Sequence, residues 1–384
     1  MSSRLALRQP HLSSHGLSPP LTLGPHALRR LRVRLLPLLL LLLAPPTRAY
    51  RHRPSSSETL ALAVVGTAWP ARRSPAPALP ELLDAPAASM DASPPAAPMD
   101  APPPAAGGGS PDAVEIRQVW AGNLEAEFAV IRDVIDAYPF VAMDTEFPGF
   151  VVKPTAVYRF DCDLNYATLE GNVNLLKLIQ LGLTLSDEAG ALPPRGTGGR
   201  GCIWQFNFRG FDPRTDPCST DSIDLLRRSG IDFDRFAADG VDPTRFAELM
   251  MSSGVVLNRD VQWITFHSGH DFGYLLKLLT GRDMPSSLDD FLELTRAFFP
   301  VMYDVKHLMK FCGGVYGGLS RLGELLKVKR VGIGHQAGSD SLLTLQCFMK
   351  LKELYFQESV KKYNGMLFGL IPGEGEIKSS PPAH

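Results

Sequence analysis

In the stretch FVAMDTEFPG, residues 140–149, two carboxylates stand two positions apart at the end of an apolar run. Side chains of a strand alternate between faces, so Asp144 and Glu146 share one face, and Met143, Thr145 and Phe147 share the other. Like charges that close repel unless a cation lies between them. Pro148 and Gly149 stop the strand, which sets the pair at its mouth rather than inside a core. A lone D-x-E is more commonly a solvated strand edge; two further pieces of the chain change that balance. Asp271, in TFHSGHDFGYLL, follows an apolar strand and falls in a first helical turn, where Ser268 and Gly269 already serve the helix start. In GIGHQAGSDSLL, His335 occupies a Gly-rich loop and Asp340 the first turn of the last helix.

Each piece is weak by itself, since an acid in a first turn is often only a cap. Together they supply four carboxylates and one group that titrates near neutrality. Hard oxygen donors suit Mg²⁺ or Mn²⁺, and the absence of cysteine from the set disfavours a thiolate zinc site. Two such ions clamp the attacking water and the leaving oxygen of an in-line phosphoryl displacement. His335 then suits the general base that takes the water's proton. His267, His270 and His307 lack partner acids at ligand spacing and read as surface or packing histidines. Asp304, at a strand end, reads as a structural hydrogen-bond residue, and Phe291–Phe299 as core.

The elements that must position these residues follow from periodicity. Residues 115–120 read as a short strand or arm, and an amphipathic helix with Asn123 as N-cap follows. The acidic strand, 172–186 and 202–208 read as a three-stranded meander; 262–267 and VMYDVK add strands four and five. Helices are expected over SIDLLRRSGI, DPTRFAELMMSSG, DFGYLLKLLTG, SLDDFLELTRAFFP, GLSRLGELLKV and residues 338–356. Strands in series, then strands alternating with helices, predict an α/β fold with a mixed five-stranded sheet flanked by helices.

Composition divides the 384 residues. Residues 1–111 hold Pro-Ala-Ser-Gly tracts without periodicity and read as a disordered leader and linker; the globular domain is expected over 112–370 and a flexible tail over 371–384. The run LLPLLLLLLA, residues 35–44, falls short of the ~20 apolar residues a membrane span needs. A signal-peptide core, an organelle transit peptide and translation from Met90 or Met99 are three readings of this leader, and the third is our expectation. Removing the 11 Arg and 5 acids of residues 1–111 from the 39 basic and 40 acidic residues of the whole leaves 28 and 35. The globular part is therefore acidic, so attraction for a polyanion must come from locally bound cations. Five cysteines without CxxC spacing indicate neither a disulfide framework nor a zinc site; a reducing compartment, cytoplasm and nucleus, is expected.

Asp144, Glu146, Asp271, His335 and Asp340 match the DEDD exonucleases of the His-containing subclass. More closely, AMDTEFPG, LLKLIQLGLT, WQFNF, SGVVL, FFPV-YDVK-LM and HQAGSDSLLT resemble the Caf/Pop deadenylases, nuclease subunits of the Ccr-Not complex, over about Ile116 to Phe356. The resemblance implies an RNase H-like fold and 3′-to-5′ hydrolysis of poly(A) RNA to 5′-AMP with two divalent metal ions. Asp144, Glu146, Asp271 and Asp340 would be the metal ligands and His335 the general base. It also implies partners: the large Not scaffold, the leucine-rich-repeat domain of the companion Ccr nuclease, and Tob-type regulators. Members commonly carry Tyr where this chain has His270, a change at the rim of the site. Phe147 and Phe272, each beside a catalytic acid, are candidate base-stacking platforms, with core packing the commoner fate of such rings.

Overall fold

The computed structural model describes residues 114–357 and 359–372. The leader and nearly all of the tail lie outside them. Six strands form one sheet: β1 (Glu115–Val119), β2 (Phe140–Glu146), β3 (Gln180–Ser186), β4 (Cys202–Asn207), β5 (Gln262–Thr265) and β6 (Met302–Asp304). Their order is β1-β4-β3-β2-β5-β6. The expected meander is present, because β2, β3 and β4 pair antiparallel in series. Beyond it the sheet turns parallel on both sides: β5 joins β2, β6 joins β5, and β1 joins β4. This mixed sheet is the expected RNase H-like arrangement, with one strand more than the five counted. The sixth is Glu115–Val119, whose pairing with β4 is set by a partner far along the chain.

The helices are α1 (Leu124–Val134), α2 (Asp161–Leu175), α3 (Thr220–Arg228), α4 (Phe233–Asp239), α5 (Pro243–Ser252), α6 (Gly269–Thr280), α7 (Leu288–Phe298), α8 (Val305–Leu308), α9 (Leu319–Leu325) and α10 (Ala337–Tyr355). Three of these, α2, α4 and α8, were not expected. The strand read over VMYDVK stops at Asp304, whose side chain accepts the Lys306 N–H and turns Val305–Leu308 into α8. Residues 172–175 finish α2 instead of starting β3, and α4 is a two-turn helix whose N-cap Asp232 accepts the Arg235 N–H. In α2, buried Cys162, Tyr166, Leu169 and Val173 recur at helical spacing, but acids and asparagines between them dilute the pattern. Asn172 of that helix is buried with a purpose: its Oδ1 accepts the N–H groups of Val151 and Val152 at 2.7 and 2.9 Å, pinning the loop after the acidic strand.

Burial explains why this sheet can carry charge at one end. Strand β3 is buried along its whole length. On one face Ala142 and Ile264 pack with Leu343, Phe348 and Leu351 of α10. Each of the larger side chains, Ile264, Leu343, Phe348 and Leu351, contributes about 1.5–3 kcal/mol when fully buried. On the other face α6 approaches β2 and is itself flanked by α2, α5 and α7. Clamped between α10 and α6, the end of β2 is fixed in position. Among the described residues no helix is long and apolar enough to cross a membrane.

Candidate active site

The two clamping helices also deliver the remaining acids. Asp271 sits in the first turn of α6 and Asp340 in the first turn of α10. Thr145, on the face of β2 opposite to its neighbours Asp144 and Glu146, donates its hydroxyl to Asp271 Oδ1 and so ties α6 to the strand end. Helix α10 comes closer still. Gly182, directly across from Asp144, leaves room for the backbone of Ala337. Gln180 Oε1 accepts the Ala337 N–H at 2.8 Å, and Gln205 Oε1 accepts the Gly338 N–H at 2.9 Å. Side chains of the sheet thus satisfy helix donors that usually need a local cap. The helix's own N-cap residue, Gln336, makes no side-chain cap bond.

His335 precedes this helix with φ +62, a left-handed conformation that a non-glycine residue adopts at a cost. The turn is secured by its N–H, which donates to Asp340 Oδ2 at 3.1 Å. Its ring is exposed, and one ligand atom each from Glu146, His335 and Asp340 lie within 4.8 Å of one another. Arg330 donates to Asp340 Oδ1, and also to Ser339 Oγ and Ser320 Oγ at 3.1 Å. Asp340 is therefore oriented through both oxygens. Nothing in KRVGIG distinguishes Arg330 from the other bases nearby, which is why the sequence alone did not single it out.

The carboxylates are close enough to feel one another. Burial, then repulsion from Asp271, Asp340 and Glu146, raises Asp144 well above the usual carboxylate range. Burial and the charges of Asp340 and Asp271 push Glu146 up to about 8. Burial raises Asp271 to about 7, while the bond from Thr145 pulls the other way. Arg330 offsets part of the rise at Asp144 and Glu146. A cluster of acids that holds protons this firmly is one that a hard cation would stabilise, and its carboxylate oxygens fit Mg²⁺ or Mn²⁺. Because the folded protein retains protons that the unfolded chain gives up, these groups favour folding below about pH 4, and that contribution fades as pH rises through 7 to 8. Chelator-treated protein is accordingly expected to melt at falling temperatures between about pH 5 and pH 8.5, with added Mg²⁺ or Mn²⁺ restoring the loss most at the alkaline end. A melting temperature flat or rising over that window, in differential scanning fluorimetry, would count against this clustering.

Beside Asp271 lies a cavity of ≈ 430 Å³ lined by Phe147, Phe150, His267, His270 and Phe368 among others. The two phenylalanines that the sequence left equivalent separate here. Phe272 is fully buried core, whereas half-buried Phe147 lines the cavity and stacks on His270 with centroids 5.7 Å apart. His270 packs at this rim, held neutral by burial and by His267, which lower it to about 4. Asp304 is a buried structural acceptor, taking the N–H groups of His267, Lys306 and Phe368 at 2.9 Å. His307 is buried against the rings of Phe311 and Tyr363. Both readings agree with the sequence.

Comparison with known proteins points the same way as the geometry. The model described as CAF1 family ribonuclease matches residues 119–248. Probable CCR4-associated factor 1 homolog 7 of Arabidopsis thaliana is 58% identical over 266 residues, covering 69% of this chain and 97% of that protein. Poly(A) ribonuclease pop2 of Schizosaccharomyces pombe is 44% identical over 256 residues, 66% of this chain and 75% of its own. The structure of S. pombe Pop2p in its Mg²⁺ and Mn²⁺ bound form superposes with a TM-score of 0.63 at 44% identity, covering 66% of this chain and 99% of that one. A yeast CAF1 co-crystallized with the NOT1 MIF4G domain is similar at 34% identity and a TM-score of 0.56, covering 66% of this chain and 96% of that one.

Proposed function

The chain belongs to the CAF1 ribonuclease family, and from that premise we propose that it shortens poly(A) RNA from the 3′ end, releasing 5′-AMP, as the nuclease subunit of a Ccr-Not assembly. What supports this reading is that one ligand atom each from Glu146, His335 and Asp340 lie within 4.8 Å of one another, while Asp144 shares the β2 face of Glu146 and Asp271 is bonded to Thr145 of the same strand. Two divalent cations held by the four carboxylates would supply Lewis acidity at the attacking and departing oxygens of a phosphoryl displacement. The chain's own residues do the rest. Asp340, gripped by Arg330 and by the His335 N–H, holds one carboxylate in a fixed orientation. Exposed His335 takes the proton of the attacking water and passes it to solvent. As water adds to phosphorus, the bond to the 3′ oxygen of the penultimate nucleotide breaks, and that oxygen takes a proton from solvent, balancing the one that His335 releases. The cavity between Phe147 and Asp271 has the aromatic lining that a terminal base stacks on.

The similarity to a CAF1 solved with a NOT1 domain supports a Not scaffold as partner. The leucine-rich-repeat Ccr nuclease and Tob-type regulators complete the proposed assembly, in cytoplasm and nucleus, where five free thiols are at home. The deciding experiment incubates the full chain with labelled oligo(A) and oligo(U), with and without a chelator. Stepwise shortening of oligo(A), slower on oligo(U) and stopped by the chelator, is expected. Failure to shorten either oligomer would leave a catalytically silent adaptor that bridges the assembly.

A further inference from the structure

The face that carries the acids continues sideways. Glu146 lies opposite Gln180, and Gln180 opposite Asn207; Asp144 lies opposite Gly182, Gly182 opposite Gln205, and Gln205 beside Gln118 of β1. Directly opposed residues share a face, so a polar row runs from the carboxylates across β3, β4 and β1. It ends in a separate cavity of ≈ 350 Å³ whose lining includes Gln180, Gln205, Asn207 and Gln336 together with Trp120 and Ile333. Gln336 and Ile333 belong to the same loop as His335.

Most of these amides are already committed. Gln180 and Gln205 cap α10, and both donate to Gln336 Oε1, at 3.1 and 2.7 Å. Three amide N–H bonds are left over, one on Gln336 and two on Gln118. An amide carries two N–H bonds; Gln336 Nε2 gives one to the Ser229 carbonyl at 2.7 Å, and Gln118 accepts from Gln205 and Asn207 while its own Nε2 has no acceptor among the described residues. Above them, the Arg235 guanidinium lies 4.1 Å from the Trp120 ring and Phe236 meets it edge-on at 5.2 Å. Its indole N–H is buried without an acceptor among the described residues. Ile333, also in the lining, stands 61% exposed.

A guanidinium plane laid over an aromatic ring, an exposed aliphatic side chain and unspent amide donors match the two halves of a nucleobase, its apolar faces and its hydrogen-bonding edge. Three strand spacings separate Trp120 from Glu146, roughly 14 Å at about 4.8 Å each. That exceeds the reach of the terminal nucleotide, so a base held here lies upstream of the scissile bond. We propose that this cavity is a subsite for a base of the RNA that stays on the polymer when the 3′ nucleotide is released; the inference rests on the 3′-end polarity of the preceding section. The subsite would hold the substrate in register between successive cuts.

The test is abasic scanning. Full chain carrying Asp144→Asn, to prevent cleavage, is titrated with fluorescent oligoadenylates that each lack one base, and binding is followed by anisotropy. One position two or three nucleotides from the 3′ end is expected to weaken binding by roughly 5- to 150-fold when its base is removed, the range given by losing one base–aromatic stack. Adding Trp120→Leu or, separately, Ile333→Ser should erase that position's sensitivity and leave the others unchanged. Because Ile333 is exposed, the second variant carries the test should the first unfold. Uniform sensitivity along the oligomer, or a sensitive position that survives in a folded variant, overturns the subsite. The same scan on oligo(U) separates the two proposals: an equal pattern keeps the subsite and removes adenine preference from the functional reading. A surface built for a protein partner would show no abasic effect.

Discussion

Asp144→Ala is expected to lose at least ~10³-fold in the rate of oligo(A) shortening while its metal-free form melts no lower than the parent. A metal ligand contributes several kcal/mol to the transition state of a metal-assisted displacement, and each 1.36 kcal/mol is tenfold in rate. The stability half of the prediction comes from electrostatics. Asp144 is pushed far from its ordinary range by burial and by three neighbouring acids, so it opposes folding wherever it is ionised. Alanine removes that repulsion and leaves the apolar strand behind it, Phe140 to Met143, in place. Activity lost together with several degrees of melting temperature would mean that Asp144 is a structural residue. Activity within tenfold of the parent would mean that it is not a ligand.

How far the sequence could be read depended on whether partners were local. Asp144 and Glu146 follow from a period of two, and Asp271 and Asp340 from strand-to-helix junctions that punctuation residues mark. That they belong together is read from their order and types, since each piece alone could be a cap or a solvated strand edge. The supports were not legible. Thr145 to Asp271, Gln180 to Ala337 and Gln205 to Gly338 each span more than 120 positions, and no local pattern encodes which glutamine faces which helix. The same holds for β1, whose register against β4 is set at the far edge of the sheet. Helix α2 escapes for another reason: polar residues interrupt its apolar stripe, among them Asn172, which is buried to pin the loop at Val151 and Val152.

Gly182 is the position where fold and chemistry meet, and Gly182→Ala is expected to cost both. It has an ordinary strand conformation, so a side chain is not barred by the backbone. What bars it is α10: a Cβ here would stand 2.0 Å from the Ala337 oxygen, 2.2 Å from its carbonyl carbon and 2.6 Å from the Gly338 nitrogen, all main-chain atoms of a packed helix end. The helix start must therefore retreat, loosening its bonds to Gln180 and Gln205 and carrying His335 and Asp340 away from Glu146. Displacement of catalytic groups by about 1 Å costs on the order of 10²-fold in rate. Overpacking of this kind costs about 1–3 kcal/mol, or roughly 2–12 °C in melting temperature for a domain of this size. Gly122→Ala is the matched control, since a Cβ there meets nothing within 4 Å, and it should change neither quantity. The pair also separates two ways of losing activity: Asp144→Ala removes one proposed ligand and leaves the platform in place, whereas Gly182→Ala keeps every proposed ligand and moves the platform beneath two of them. A Gly182→Ala protein with parental rate and melting temperature would show that the helix can retreat freely, and that its contact with the sheet does not hold the site together.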